Sequence, residues 1–318
     1  MTGRDVARHR YSWLERAESL DKVRAAVITR DSAGQELIKE PYVVMPRRVW
    51  DLKSNRVVEN PGSVSTRAPF WAISHSWTDD MEAVDTSINC HQWPVPLPRT
   101  VSLEGVRKAL LDLGAEYVWL DVLCLRQSHS PSHQLKQDEW RLDVPTIGNI
   151  YRAAERVVRY FNGLGIPFTE RGWDNPRHWL RRAWTLQEIK TENTTYNGGV
   201  VQANVLNTKG TVKGKDTTLR RAIRPVLRLA AEVDSRGGCS VYELAREMDK
   251  RYATRPTDKV AGLLYLLRTR ELPTYDERIT SEAAWAKCIP LLPLERKIEL
   301  LFDFPYRGLL QGGWFPTW

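Results

Sequence analysis

Residues 70–77 read Phe-Trp-Ala-Ile-Ser-His-Ser-Trp, and residues 117–121 read Tyr-Val-Trp-Leu-Asp. Each is a short apolar run that breaks into polar residues, the pattern of a strand buried on both faces. A third run, Val157–Phe161, is halted by Asn162-Gly163. Between the strands the period changes. Ser102–Leu113 places Leu103, Val106, Leu110 and Leu113 on one helical face, with Ser102 as N-cap and Gly114 closing the helix. Gln137–Glu155 carries Ile147, Ile150, Tyr151 and Ala154 on one face, with Pro145 starting or kinking its second part. Trp179–Ile189 reads as the next helix. This alternation predicts an α/β fold, a doubly wound parallel sheet covered on both faces. Ligands of such sheets sit beyond the carboxyl ends of the strands. The residues to inspect are therefore Ser74, His75, Ser76 and Trp77 after the first strand, and Asp121 through Gln127 after the second.

Outward from this centre the chain is less regular. Residues 1–65 are polar, with a helical pattern near Tyr11–Ile28 and a Val49–Val58 segment turning at Lys53-Ser54-Asn55. Glu59–Ala68 reads as a linker. Residues 190–215 read as loop with one weak strand, and 216–270 as mainly helical, including Val241–Met248 and Asp258–Leu267. Phe302–Trp318 is aromatic and loop-like. The division expected is an N-terminal extension (1–65), a central α/β domain (66–200) and a mainly helical C-terminal region (201–318).

The 47 basic and 39 acidic residues leave a formal charge of +8, spread along the chain without a purely basic five-residue run. No specific nucleic-acid interface is expected from that pattern, whereas a small phosphate-bearing ligand needs only one or two cations. Cys90, Cys124, Cys239 and Cys288 show no Cys-x-x-Cys spacing, and the N-terminus has no signal-peptide pattern; reduced thiols in a cytoplasmic protein are expected. Apolar runs are too short to span a bilayer.

Several familiar chemistries are absent. Ser74 and His75 are adjacent, so in a strand they face opposite sides and cannot form a nucleophile–base pair. There is no Gly-x-Ser-x-Gly elbow, no Gly-Lys-Ser/Thr phosphate loop and no Gly-x-Gly-x-x-Gly fingerprint. His129 and His133 flank Ser130-Pro131-Ser132, a loop signal, without a nearby third ligand, so no metal site is expected. Trp184 and Glu188 remain, four apart in the expected helix and so one turn apart on one face. Glu188 has no Lys or Arg three or four residues away. An unpaired carboxylate beside an aromatic ring suits a cationic ring or an oxocarbenium-like centre. The plain alternative is a core tryptophan and a solvated glutamate. Asp121 either holds a hydroxyl or an arginine or caps a turn. Arg182 lies two residues before Trp184 and points elsewhere on the helix, while Arg181, seven before Glu188, lies nearer its side.

Four blocks, in order, resemble the fungal heterokaryon-incompatibility (HET) domain over about residues 68–190. They are Trp71-Ala72-Ile73-Ser74-His75-Ser76-Trp77, Tyr117 through Gln127, Ile150-Tyr151-Arg152-Ala153-Ala154 with Val157-Val158, and Arg182-Ala183-Trp184-Thr185-Leu186-Gln187-Glu188. Arg251-Tyr252-Ala253-Thr254 with Asp258-Lys259-Val260 is similar to a segment often found C-terminal to that domain. His75, Thr78 and Arg126 depart from the family pattern, which more often has Tyr, Gly and an acidic or polar residue. The resemblance implies a TIR/flavodoxin-like fold and a role in cell death after fusion of unlike hyphae. Through the likeness to TIR domains, whose Trp-x-x-x-Glu helix matches Trp184 and Glu188 in spacing, it implies cleavage of NAD+ at the nicotinamide–ribose bond. Glu188 would then be the catalytic carboxylate, and Ser74, Ser76, Trp77, Asp121, Gln127, Arg182 and Trp184 would bind substrate. NAD+ is the implied substrate, with no resident cofactor or metal. The alternative is a non-catalytic module acting by self-association or with allelic partner proteins.

Overall fold

The computed structural model of the protein describes residues 22, 24–60, 69–127, 133–169, 172–189, 195–197, 205–206, 217–234 and 238–302. In chain order the strands are β1 (Ile28–Arg30), β2 (Glu36–Lys39), β3 (Arg48–Asp51), β4 (Arg56–Glu59), β5 (Trp71–His75), β6 (Met81–Val84), β7 (Val95–Pro98), β8 (Tyr117–Leu120), β9 (Arg156–Tyr160), β10 (Thr195–Asn197), β11 (Val205–Leu206) and β12 (Glu271–Pro273). The helices are α1 (Leu103–Asp112), α2 (Asp121–Cys124), α3 (His133–Asp143), α4 (Ile147–Ala153), α5 (Thr217–Asp234), α6 (Val241–Asp249), α7 (Pro256–Leu264), α8 (Ser281–Cys288) and α9 (Leu294–Phe302).

All five residues of β5 are buried, as its apolar run requires. It is the central strand of a sheet ordered β11-β10-β9-β5-β8-β3-β4. The strands β8, β5, β9 and β10 run parallel, whereas β3, β4 and β11 are antiparallel to their neighbours. The sheet is thus mixed, not wholly parallel as the sequence suggested. The reason lies in the turn after β3. Asp51 accepts from the Lys53 and Ser54 amides at 2.9 and 3.2 Å, and Asn55 has φ +54°. This short turn forces β4 back along β3, and β3 covers the free edge of β8 in the antiparallel sense. Residues 48–59, expected in an N-terminal extension, are therefore part of the main sheet.

The chain leaves β5 toward β8 and leaves β9 toward β10, so the connections from the two neighbouring carboxyl ends diverge. The helix α1 begins where Ser102 Oγ accepts from the Gly105 amide at 3.1 Å. The helical pattern over 137–155 divides into α3 and α4 at Pro145, with Thr146 Oγ1 donating back toward the Leu142 carbonyl at 2.9 Å.

A second core gathers Met248, Val260, Leu263 and Trp285 from the C-terminal helices with Ile38 of β2 and Leu272 of β12. The three-stranded sheet β1-β2-β12 joins this region to the N-terminal segment. Close approach of the two parts requires a glycine in α4, because a Cβ on Gly148 would lie 2.2 Å from the Tyr265 ring.

The expected helix over Trp179–Ile189 is not formed. Two short 3-10 turns, Trp179–Arg181 and Trp184–Leu186, take its place. Arg182 is extended (φ −88°, ψ 135°) and bridges to Tyr252, whose carbonyl accepts from the Ala183 amide at 2.9 Å. Thr185 Oγ1 lies 2.6 and 2.8 Å from the Trp179 and Arg182 carbonyls, competing with backbone helix bonds. Tertiary pairing has overridden a helical pattern.

The Tyr11–Ile28 helix, the Glu59–Ala68 linker, His129 and the Phe302–Trp318 stretch fall wholly or largely outside the described residues. Among the described residues no helix is long and apolar enough to cross a membrane.

Candidate functional site at the ends of β5 and β9

The register pairs Ser74 with Arg159 and His75 with Tyr160. Partners in register point to the same face of a parallel pair, and successive residues to opposite faces. Ser74 and His75 accordingly anchor two separate arms of one polar cluster.

In the first arm, Ser74 Oγ donates to Glu188 Oε2 and accepts from Trp179 Nε1 at 2.6 Å. Arg159 is fully buried, with Cζ 5.4 Å from the Trp179 ring centre. Tyr151 from α4 donates to the Ile73 carbonyl at 2.9 Å. Glu188 is 7% exposed. Burial is the largest influence on its carboxyl and pushes it up to about 7. The Ser74 hydrogen bond opposes that rise, Asp121 adds to it, and His75 and Arg159 oppose it. Burial lowers the Arg159 guanidinium to about 10, with Glu188 and Tyr151 acting the other way, so it stays cationic at neutral pH.

In the second arm, the Asp121 carboxylate accepts from His75 Nε2 at 2.7 Å, Trp77 Nε1 at 3.1 Å and the Val122 amide at 2.8 Å. His75 Nδ1 faces the Ser76 carbonyl at 3.2 Å. Both ring nitrogens thus meet acceptors, the hydrogen-bond pattern of an imidazolium. Burial disfavours that cation, but Asp121 at hydrogen-bonding distance outweighs it and raises the His75 pKa above 6.5. Burial likewise opposes ionisation of Asp121, and the His75 charge with the His75 and Trp77 hydrogen bonds holds it below its ordinary value. The Asp121 side chain is 24% exposed against 1% for His75, so this arm is the one that meets solvent. The Trp77 ring lies parallel to His75 at 6.5 Å, and Ser76 Oγ donates to the Phe161 carbonyl at 3.3 Å, tying β5 to the end of β9.

Of the residues singled out from sequence, Ser74, Asp121 and Glu188 come together with Trp77. Gln127 is buried and spends its amide on the Asp121 and Leu125 carbonyls at 3.2 and 2.9 Å, shaping the loop after α2. Trp184 turns to the C-terminal region, edge-on to Tyr275 at 6.3 Å and hydrogen-bonded to Asp258. With a 3-10 turn in place of an α-helical one between Trp184 and Glu188, the aromatic nitrogen bound to Glu188's serine partner belongs to Trp179. The Arg182 carbonyl accepts from Arg251 Nη1 at 2.9 Å, and burial lowers its own guanidinium pKa. Arg251, 1% exposed, also donates to Thr185 Oγ1 at 3.0 Å. The Arg251 to Asp258 fragment therefore clamps the segment that delivers Glu188.

Sequence reasoning gave no role to Arg159, Tyr151 or Trp179. Arg159 carried a legible signal, a charge in the middle of the apolar run Val157–Phe161. Elsewhere, Glu232, Cys239 and Glu243 bring potential ligand atoms within 4.8 Å of one another. Burial pushes the Cys239 thiol up to about 12, a poor starting point for a thiolate ligand.

The cluster holds two carboxyls whose surroundings drive them apart, one ionised beside a cation and one near half-protonation at neutral pH. That separation is characteristic of acid–base and charge-stabilising sites, and also occurs in structural ion networks. Residues 70–165 match the family model described as Heterokaryon incompatibility protein (HET). The match includes β5, Asp121, Tyr151 and Arg159 and ends before Trp179 and Glu188. No curated protein and no solved structure matches the chain. With the ordered blocks at residues 71–77, 117–127 and 150–158 inside the matched stretch, residues 70–165 of this chain are similar to the heterokaryon incompatibility (HET) family.

Proposed function

We propose that the chain is a cell-death effector of the heterokaryon-incompatibility type, and that its strand-end cluster cleaves NAD+ at the nicotinamide–ribose bond, with Glu188 as the catalytic carboxylate. The observation that carries this reading is Glu188 itself. It is held by Ser74 at the rim of β5 and β9, beside the Asp121–His75 pair, with its carboxyl near 7. The position of a carboxylate at the diverging strand ends, where α/β folds bind ligands, supports the reading. In the reaction the C1′–N bond breaks and its electron pair leaves with nicotinamide, whose ring becomes neutral. No general acid is needed for that departure. Glu188 as carboxylate stabilises the positive ribosyl centre, water adds to C1′, and the water proton passes to Glu188 or solvent. The overall balance is NAD+ plus water giving nicotinamide, ADP-ribose and a proton.

The test is nicotinamide release from NAD+ by the full chain and by Glu188→Gln. Release by the wild type and a fall of about a hundredfold or more in the variant are expected, the scale for losing one preorganised charge-stabilising group. The wild-type rate should rise as pH passes through about 7, where Glu188 ionises. Equal release from both proteins removes Glu188 from this role.

One observation favours a second reading, a non-catalytic module that self-associates. Glu188 is almost fully enclosed and hydrogen-bonded, as a purely fold-holding group would be. Concentration-dependent assembly unchanged by Glu188→Gln, with no NAD+ turnover, would establish that reading over the first.

A further inference from the structure

We propose that Arg159 is the oxyanion-binding residue of the strand-end site and receives a phosphate of the substrate while Glu188 meets the cationic centre. The assignment deepens the reading of Glu188 above and rests on it for the identity of the substrate. Arg159 sits in β9 directly opposite Ser74, on the face where Ser74 holds Glu188. It is 0% exposed, yet Nε, Nη1 and Nη2 all lack a hydrogen-bond partner among the described residues. Its neighbours account for the position and leave the donors unused. The Trp179 ring lies over the guanidinium at 5.4 Å, while the Trp179 indole nitrogen is committed to Ser74. Glu188, the nearby carboxylate, is engaged by Ser74 instead of forming a fork-to-fork pair with Arg159.

A buried cation with idle donors is costly, and such groups are ordinarily paired. Selection for the fold alone would favour an apolar side chain here, like Val157 and Val158 beside it. The planar guanidinium matches the oxygens of a phosphate in a two-point contact, which makes a phosphate-type oxyanion the fitting partner. In the same turn as Glu188, Gln187 is 3% exposed and its amide nitrogen and oxygen also lack partners among the described residues. Access requires the Trp179 ring to move off the guanidinium.

The experiment compares the full-length wild type, Arg159→Met, Arg159→Lys and Glu188→Gln, with inorganic pyrophosphate as calorimetric ligand and with NAD+ and nicotinamide riboside as substrates. Pyrophosphate should bind Glu188→Gln at least as tightly as the wild type, because a nearby negative charge is removed, and bind Arg159→Met about ten- to a hundredfold more weakly, the range for losing hydrogen bonds to a charged group. Arg159→Met should raise KM for NAD+ by a similar factor and leave KM for nicotinamide riboside, which has no phosphate, unchanged. Its Tm should equal or exceed that of the wild type, because an uncompensated charge has been replaced by an apolar chain. Equal pyrophosphate affinity in wild type and Arg159→Met overturns the assignment, whether or not NAD+ is cleaved. Arg159-dependent pyrophosphate binding without NAD+ turnover retains the anion site and rejects the catalytic reading of Glu188. Should Arg159→Met fail to fold, Arg159→Lys decides. Weaker pyrophosphate binding at unchanged Tm supports the two-point contact, and unchanged affinity overturns it.

Discussion

Replacing Glu188 by glutamine should change how stability responds to pH more than it changes the fold. Its carboxyl stands at about 7 in the folded protein against 4.5 ordinarily, chiefly through burial. The folded state therefore holds this proton more tightly than the unfolded chain does. Between pH 4.5 and about 7 the unfolded chain has released the proton and the folded protein has not, so stability falls as pH rises across that window. At about 1.4 kcal/mol per pH unit, the gap corresponds to about 3 kcal/mol. Glutamine keeps the shape and an oxygen that can accept from Ser74, but it has no proton to lose. Urea unfolding of both proteins from about pH 4 to about pH 8 measures the difference directly. The two should match at the acid end, and the glutamine variant should gain about 3 kcal/mol over wild type above neutrality. Parallel curves would refute the reasoning. A wild type that gains on the variant with rising pH would show instead that Glu188 ionises into a stabilising pair with Arg159.

The cluster and the segment that delivers Glu188 yield four further expected outcomes. Ser74→Ala removes the hydrogen bond that lowers the Glu188 pKa and strips Trp179 Nε1 of its acceptor; unfolding should show a loss of about 1–3 kcal/mol, with the Glu188 titration moved above its wild-type midpoint. Arg251→Met frees the Arg182 carbonyl and Thr185 from their shared donor, and should cost about 3 kcal/mol in chemical denaturation, on the scale of breaking a buried charged network. His75 should titrate above 6.5 in imidazole nitrogen spectra, since Asp121 raises its pKa. Its contribution to stability is complete below 6.5 and is lost as pH rises through the higher folded value, so the deficit of His75→Gln should shrink on the alkaline side. Asp121, held below its ordinary value, contributes above 3.8 and loses that contribution as acid protonates it.

The strands and the strand-end residues were legible because burial leaves a plain mark on sequence. Val, Ile and Trp in continuous short runs bounded by polar and turn residues fit a strand covered on both sides, and such runs located β5, β8 and β9. Ser102 and Gly114 marked the limits of α1 through local hydrogen bonding and backbone geometry, which need no distant partner. The Lys53-Ser54-Asn55 turn was equally local. The edge on which its hairpin would dock was not, because open strand edges look alike to a sequence.

Residues 179–188 mark the boundary of what sequence could decide. Their spacing favoured a helix, and with it a Trp184–Glu188 pair. The backbone of Arg181–Ala183 instead pairs with Tyr252, Thr185 takes two carbonyls and Arg251 takes one. The bonds from Tyr252 and Arg251 come from a segment remote in the chain, so no local pattern reports them. The chain alone determined which residues must be buried and which polar groups lie at the ends of buried strands. Only the tertiary structure decided that Trp179 stands over the cluster in place of Trp184, that His75 is paired by Asp121, and that Arg159 is enclosed beside Glu188, because each depends on contacts made across the assembled core.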